Sequence, residues 1–107
     1  MRTLLTLAAL GGLTACYSQE DFSGDYDEAW CERYLSCTDP AVLEFAPYDD
    51  VKSCVSYRGE AFEEDSACTL DRSVARDCVK ALAEQSCDDF NSGSRVEACE
   101  DTCVADE

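Results

Sequence analysis

The chain has 107 residues and a formal net charge of −16, with 24 acidic residues, eight basic residues and no histidine. A chain of this size forms one small domain, its acidity disfavours binding to nucleic acid or anionic lipid headgroups, and the lack of histidine excludes His-dependent catalytic triads. We interpret the charge as a solvated surface, with attraction of a basic partner or of cations as the alternative.

The first residues have the pattern of an export signal. Arg2 supplies a positive charge, an apolar run covers 3–13, and small residues follow before Cys16. This order is typical of a secretory signal. The run is too short to cross a bilayer, which needs about 20 residues, and Gly11 and Gly12 disfavour a buried helix. An ordinary secretory signal with an unrelated Cys16 is the alternative.

The tetrapeptide Leu13-Thr14-Ala15-Cys16 resembles the lipobox of bacterial lipoproteins at all four positions. The resemblance implies that 1–15 is a lipoprotein signal peptide cleaved after Ala15. It also implies that the Cys16 thiol carries a diacylglyceryl group built on fatty acids such as palmitate, and that the new amine is acylated. The expected location is the cell envelope, with the membrane bound through this lipid. Tyr17 stands where an aspartate would signal retention in the inner membrane, which favours the outer membrane.

The other cysteines predict a disulfide framework. Setting Cys16 aside leaves an even number, which in an exported domain of this size indicates four disulfides. A zinc or iron–sulfur site is disfavoured because there is no CxxC pair and no histidine. We therefore predict no metal and no other cofactor. The predicted disulfide cysteines are Cys31, Cys37, Cys54, Cys68, Cys78, Cys87, Cys99 and Cys103.

Residues 16–25 are predicted to be the lipidated cysteine and a short tether, because they are polar and show no helical period. A cysteine-rich helical domain is predicted over 26–107. Oxygen-bearing side chains alternate within 21–28, as in a calcium loop. An EF-hand loop needs glycine at its sixth position, whereas Gly24 is the fourth residue from Asp21, so the tether is the preferred interpretation.

Apolar spacing predicts the first helix over 26–37, with steps of four, four and three residues. Asp25 and Glu28 fit a capping box at its start, and Pro40 cannot continue the helix at its end. The residues that set the spacing are Tyr26, Trp30, Tyr34 and Cys37. Residues 41–48 follow as a loop or short helical turn, which we expect to cover one side of the core.

A second helix is predicted to start at Asp49 as its N-cap and to end at the acidic cluster 63–65. The third helix runs from Asp71 to about Ser86, capped by Asp71 or Thr69. The apolar positions of the second helix are Val51, Cys54, Val55, Ala61 and Phe62. Those of the third are Val74, Ala75, Cys78, Val79, Leu82 and Ala83.

A turn at 91–93 precedes a short fourth helix, since Ser94 and Glu97 form an S-x-x-E capping box. No segment alternates like a strand over five residues. The predicted fold class is all-α: a small disulfide-stapled bundle of about four short helices.

Spacing alone does not select the disulfide pairing. Cys99 and Cys103 lie four residues apart on one helix face, so each is expected to reach a different element. Our hypothesis pairs Cys37 with Cys54, and Cys87 with Cys99 or Cys103.

The aromatic residues admit two interpretations, a core or a binding face. Helical spacing favours the core, whereas a solvent-exposed aromatic patch around Trp30 would favour a binder. The aromatic residues concerned are Tyr26, Trp30, Tyr34, Tyr48 and Tyr57. Adjacent acids occur at 49–50, 63–65 and 88–89, but the sequence does not separate a catalytic pair from a solvated face. We therefore predict that the protein is not an enzyme.

The whole chain is similar to the small cysteine-rich lipoproteins that some Gram-negative bacteria encode in many copies. The similarity rests on the lipobox, on Trp30-Cys31 and Cys37 in the first helix, and on Ala67-Cys68, the segment around Cys78-Val79, and Ser86-Cys87. It implies fold and location and carries no catalytic motif. The expected function is that of a structural or protein-interaction module at the cell envelope. Its candidate partner is an envelope protein, and binding to nucleic acid is not expected. A secreted effector or inhibitor that binds an enzyme is the alternative.

Overall fold

The computed structural model describes residues 17–104, which are mostly helical. Five α-helices, one 3₁₀ helix and a two-stranded sheet occur in that range. The helices are α1 (Gln19–Cys37), α2 (Pro40–Leu43), α3 (Val51–Gly59), α4 (Arg72–Ala83) and α5 (Cys87–Ser92), and the 3₁₀ helix is Glu97–Cys99. The strands are β1 (Thr69–Leu70) and β2 (Cys103–Val104). The predicted helical class is confirmed in outline, and the small sheet is an addition to it.

Helix α1 begins seven residues before the predicted start and takes in most of the predicted tether. Ser18 caps it: the Asp21 N–H donates to the Ser18 hydroxyl, and the Ser18 N–H donates to the Asp21 carboxylate, both at 3.1 Å. Glu20 and Asp21 in the first turn suit the positive end of the helix dipole. These local contacts offset the cost of Gly24, about 0.5–1 kcal/mol relative to alanine. The helix ends at Cys37, before Pro40, as predicted.

Helix α2 confirms the predicted helical turn after Pro40, and Asp39 is its N-cap. The expectation that segment 41–48 covers the core is wrong. None of the α2 residues is buried, and the Phe45 side chain just after it is 87% exposed. The apolar composition of the segment was a poor guide, because its packing against α1 and α3 runs through the Tyr48 ring, which contacts Tyr34 and Tyr57, and leaves Phe45 uncovered.

Helices α3 and α4 follow their predicted caps closely. Asp50 rather than Asp49 caps α3, and its carboxylate accepts from the Ser53 N–H at 2.7 Å. The predicted end at the acidic cluster 63–65 is wrong: the helix ends at Gly59, since glycine disfavours continuation, and Ala61 and Phe62 lie beyond it. Asp71 caps α4, one of the two predicted alternatives. The buried residues of α4 are Ala75, Cys78 and Leu82, and all three belong to the predicted apolar positions.

The prediction of a fourth helix starting at Ser94 is wrong. Ser86 caps α5 instead, accepting from the Asp89 N–H at 3.1 Å. Gly93 ends α5 with φ of 78°, a conformation that glycine adopts readily. Only a 3₁₀ turn follows. The strands β1 and β2 pair antiparallel, with Thr69 opposite Val104, and strands of two residues are too short to show alternation in sequence.

Helix α1 packs against α3, α4 and α5, and α4 packs against the 3₁₀ helix. The buried core among the described residues is small, and its fully buried larger side chains are all half-cystines. The buried hydrophobic residues are Ala29, Cys31, Cys54, Ala75, Cys78 and Leu82. Within 17–104, no helix is long and apolar enough to cross a membrane.

Four disulfides join the eight predicted cysteines, as Cys31–Cys54, Cys37–Cys87, Cys68–Cys103 and Cys78–Cys99. The hypothetical pairing of Cys37 with Cys54 is wrong, and so is that of Cys87 with Cys99 or Cys103. Cys54 faces the buried side of α1 at Cys31, six residues before Cys37. Cys37 instead lies at the end of α1, where the Asn91 side chain of α5 donates to its carbonyl at 2.9 Å. The expectation that Cys99 and Cys103 reach different elements is confirmed.

Candidate binding surface

Four of the five aromatic residues discussed above, together with Phe90, form a chain of ring contacts that we call the ring cluster. Its members are Trp30, Tyr34, Tyr48, Tyr57 and Phe90. The Trp30 and Tyr34 rings stack with centroids 5.0 Å apart and planes 9° apart. Tyr34 contacts Tyr48 at 5.9 Å, Tyr48 contacts Tyr57 at 5.4 Å, and Phe90 lies 5.7 Å from Trp30. The rings are neither fully buried nor isolated, so the cluster combines packing with a solvent-facing side.

Tyr26 does not belong to the ring cluster and lies on α1 one turn before Trp30. Its ring meets Phe22 edge-on with centroids 6.2 Å apart. The structure therefore divides the aromatic residues into two groups along α1. The signal for this division was present only in the tertiary contacts, because both groups share the same helical spacing.

Arg58 contacts the ring cluster at Trp30. Its Nε donates to the Asp27 carboxylate at 2.9 Å, and its guanidinium carbon lies 4.0 Å from the Trp30 ring centroid. Asp27 is only 6% exposed, and the Arg58 guanidinium compensates its negative charge. A cation over an aromatic face is attracted by the ring quadrupole. Trp30 is thereby held in place from α3, a role for Arg58 that the sequence did not reveal.

Exposed apolar side chains lie just before Tyr48 in the chain, where the Phe45 N–H donates to the Val42 carbonyl. We call Val42, Phe45, Tyr48 and Tyr57 the distal patch, because it follows the C-terminal end of α1. Val42 is 54% exposed, Phe45 87% and Tyr57 53%, whereas Tyr48 is half-buried between the rings of Tyr34 and Tyr57. The patch was missed at the sequence level because its residues were assigned to the core.

The backbone beneath Phe45 is ordered by turn hydrogen bonds even though its side chain is unsupported. The Phe45 N–H donates to the Val42 carbonyl at 3.1 Å, and the Ala46 N–H donates to the Leu43 carbonyl at 3.0 Å. Asp39 caps the segment by accepting from the Ala41 N–H at 2.8 Å. Phe45 is therefore presented on a defined turn, which lowers the entropy lost when a partner covers it.

Exposed acidic residues lie before, between and after the distal patch residues Val42, Phe45 and Tyr48 in the chain. Asp39, Glu44, Asp49 and Asp50 are all exposed, and the sequence has no basic residue between Arg33 and Lys52. Hydrogen bonds from the Ser53 backbone and then from its side chain lower the pKa of the Asp50 carboxyl. This carboxyl therefore keeps its charge to lower pH than an ordinary aspartate. The segment combines an apolar centre with an anionic border.

A concave groove lies near the N-terminal end of α1. This open groove of about 430 Å³ is lined by Phe22, Tyr26, Phe62 and Leu70 and by two disulfides, Cys68–Cys103 and Cys78–Cys99. Gln19 ties its rim together. The side-chain amide donates to the Asp65 and Cys68 carbonyls and accepts from the Asp65 N–H, each at 2.9 Å. Among the described residues that line the groove, Asp65 is the one with a charged side chain, so this lining offers apolar contact rather than paired acid–base groups.

The three aspartates of segment 21–28 have partners within the protein. Asp21 caps α1, Asp25 accepts from the Tyr17 hydroxyl at 2.8 Å, and Asp27 pairs with Arg58. The segment is therefore part of a helix rather than a tether or a calcium loop. Across residues 17–104, no group of three or more metal-ligating side chains comes together.

The adjacent acids at 49–50, 63–65 and 88–89 are all exposed. Cys16, the predicted lipidation site, and the lipobox lie outside the described residues. Comparisons of the chain with protein-family models, with curated proteins and with solved structures find no match.

Proposed function

We propose that this protein is a lipid-anchored, non-enzymatic interaction module of the cell envelope that binds another envelope protein through the distal patch. The anchoring rests on the lipobox resemblance of Leu13–Cys16, and Tyr17 after it favours the outer membrane. The four disulfides support export, because such bonds persist in oxidising compartments. The observation that carries the binding role is the 87% exposure of Phe45 on an ordered turn.

The packing of the residues after Cys16 defines which end of the domain would face the membrane. The Tyr17 ring lies under the Arg76 guanidinium at 4.7 Å, and its hydroxyl donates to Asp25. Burial, and then the hydrogen bond to Asp25, raise the pKa of the Tyr17 hydroxyl, so that contact stays neutral and intact at ordinary pH. On this proposal the domain sits directly at the membrane, with its groove end toward the lipid.

The same arrangement would hold the distal patch away from the bilayer. Helix α1 has 19 residues, and at 1.5 Å per residue it spans about 28 Å. The patch follows its far end, so it would point into the aqueous side of the envelope. A partner protein, rather than the anchoring membrane, would therefore meet Phe45.

Changing Cys16 to serine tests the anchor. We expect the Cys16→Ser variant either to leave the membrane fraction or to accumulate as an unprocessed precursor, because two or more acyl chains are needed for stable attachment. Fractionation with detergent, combined with intact-mass measurement, distinguishes the two outcomes. Thr14→Ser keeps a small residue beside the cleavage position and should behave like the native chain. A Cys16→Ser variant of native mature mass in the membrane fraction would refute lipidation.

Photo-cross-linking from the distal patch tests the binding role. A benzophenone amino acid at position 45 should yield a discrete cross-linked protein band in intact cells, because Phe45 is the most exposed large apolar side chain described. Position 104 is the matched control, since Val104 is also apolar and exposed, at 47%, but lies on β2. Equal cross-linking from both positions, or none from position 45, would contradict the proposal.

A further inference from the structure

We infer that the partner segment received by the distal patch is cationic, with an aliphatic or aromatic anchor residue between lysines or arginines. This inference rests on the proposed function and adds the chemistry of the partner to it. Two observations carry it: the exposure of Phe45, and the exposed carboxylates that lie on both sides of it in the chain.

The exposure of Phe45 is unfavourable for the isolated domain. Removing a phenylalanine side chain from water is favourable, and the isolated domain does not gain this stabilisation at Phe45. The buried core of the described residues contains no aromatic residue, and Phe45 also lies outside it. A single exposed apolar residue needs no explanation, but Val42 and Tyr57 are also more than half exposed, and Tyr57 contacts the Tyr48 ring. The site thus resembles the aromatic centre of an interface.

The charges select the occupant. Glu44 and Asp49 flank Phe45 in sequence, and Asp39 and Asp50 cap the helices on either side. A second copy of this chain would bring the same four carboxylates and a net charge of −16 to the contact, which repulsion disfavours. Anionic headgroups are disfavoured for the same reason. A basic segment would be attracted electrostatically as it approaches the patch, and its lysines or arginines could then pair with these carboxylates around the apolar contact.

The cations near the distal patch leave most of its carboxylates uncompensated. Arg58 binds Asp27 and covers Trp30, and Arg33 donates to the Gln85 carbonyl at 3.0 Å, toward α5. Lys52 lies close enough to Asp50 for its charge to help lower the pKa of that carboxyl. Among the described residues the salt bridges are Arg58–Asp27 and Arg95–Glu100, so the carboxylates of Asp39, Glu44 and Asp49 remain available to a partner.

The test uses the mature protein purified from the envelope in non-ionic detergent, with its disulfides intact. The probe is the pentapeptide Lys-Lys-Leu-Lys-Lys, which is too short and too polar to enter micelles strongly. Titration followed by amide NMR should shift the resonances of Phe45, Tyr48 and Tyr57. The charge-reversed control Glu-Glu-Leu-Glu-Glu should leave them unchanged, and Lys-Lys-Ser-Lys-Lys should bind more weakly because it lacks the apolar anchor.

Two variants separate the apolar and electrostatic contributions. Phe45→Ser should raise the Kd of the lysine–leucine peptide by about threefold or more. The double change Glu44→Gln and Asp49→Asn should do the same and should flatten the salt dependence. The matched control is Glu63→Gln with Glu64→Gln, which removes the same charge from an exposed connector and should leave the Kd unchanged.

Equal weakening in both double variants would mean non-specific attraction to the acidic chain and would overturn the inference. So would patch resonances that respond to phosphatidylcholine vesicles but not to the peptide, because the patch would then be a membrane contact. If position 45 cross-links to a protein in cells while the peptides do not discriminate, the interaction role stands and the cationic chemistry of the partner is refuted.

Discussion

Replacing Cys31 and Cys54 together by alanine should lower the free energy of unfolding by about 4–6 kcal/mol, which removes most of the stability of a small domain. The closed loop of 23 residues accounts for about 3 kcal/mol through the entropy of the unfolded chain. Both cysteines are fully buried, so each alanine also deletes a core atom at about 0.5–1.5 kcal/mol. We expect the variant to be largely unfolded at 37 °C.

The comparison with Cys37 and Cys87 decides which contribution is larger. That pair closes a loop of 50 residues, which on loop entropy alone makes it more stabilising by about 0.7 kcal/mol. However, Cys87 is exposed and Cys37 is only half-buried, so alanine there loses little packing. Because the packing loss at Cys31 and Cys54 sums to about 1–3 kcal/mol, we expect their removal to be the more damaging.

Urea denaturation of the two double-alanine variants, followed by far-UV circular dichroism, measures the difference. Mass spectrometry after thiol alkylation must first show that the three remaining disulfides are intact in each variant and that the native mature domain has no free thiol. Greater destabilisation from Cys37→Ala with Cys87→Ala would show that loop length outweighs core packing in this fold. It would also mean that the buried pair is less important to the core than its position indicates.

Changing Arg58 to leucine should destabilise the domain by about 1.5–3 kcal/mol. The substitution leaves the Asp27 carboxylate, 6% exposed, without its partner at 2.9 Å. The full cost of breaking a deeply buried ion pair is higher, but the Arg58 side chain is 30% exposed and solvent screens part of the loss. The Trp30 ring also loses the guanidinium above it, so its fluorescence emission should shift.

Two further variants separate charge from geometry at this site. Arg58→Lys keeps the charge but loses the planar fork and the stacking, so it should recover part of the stability and little of the Trp30 signal. The double variant Asp27→Leu with Arg58→Leu should be more stable than Arg58→Leu alone, since it removes the uncompensated carboxylate. A double variant no more stable than the single one would show that Asp27 is not the origin of the loss. Thermal melts and Trp30 emission spectra provide both readouts.

Local chemistry allowed several features of this protein to be predicted from sequence. The stop before Pro40 and the start of α4 at Asp71 both follow from interactions within a few residues, since a proline or a capping carboxylate acts on the adjacent turn. The even set of cysteines predicted four disulfides because parity and an export signal do not depend on the fold. The Ser18–Asp21 box was equally local, but it was hidden in a polar stretch without apolar spacing.

The tertiary structure decided everything that depends on which elements meet. Cys54 pairs with Cys31 rather than Cys37 because α3 packs along the middle of α1, while α5 packs at its end. The β1–β2 pair joins segments more than thirty residues apart, and two-residue strands have no period of their own. Phe45 is the clearest case. Its apolar side chain predicts burial, but burial requires a neighbouring element to cover it, and only packing determines whether one does.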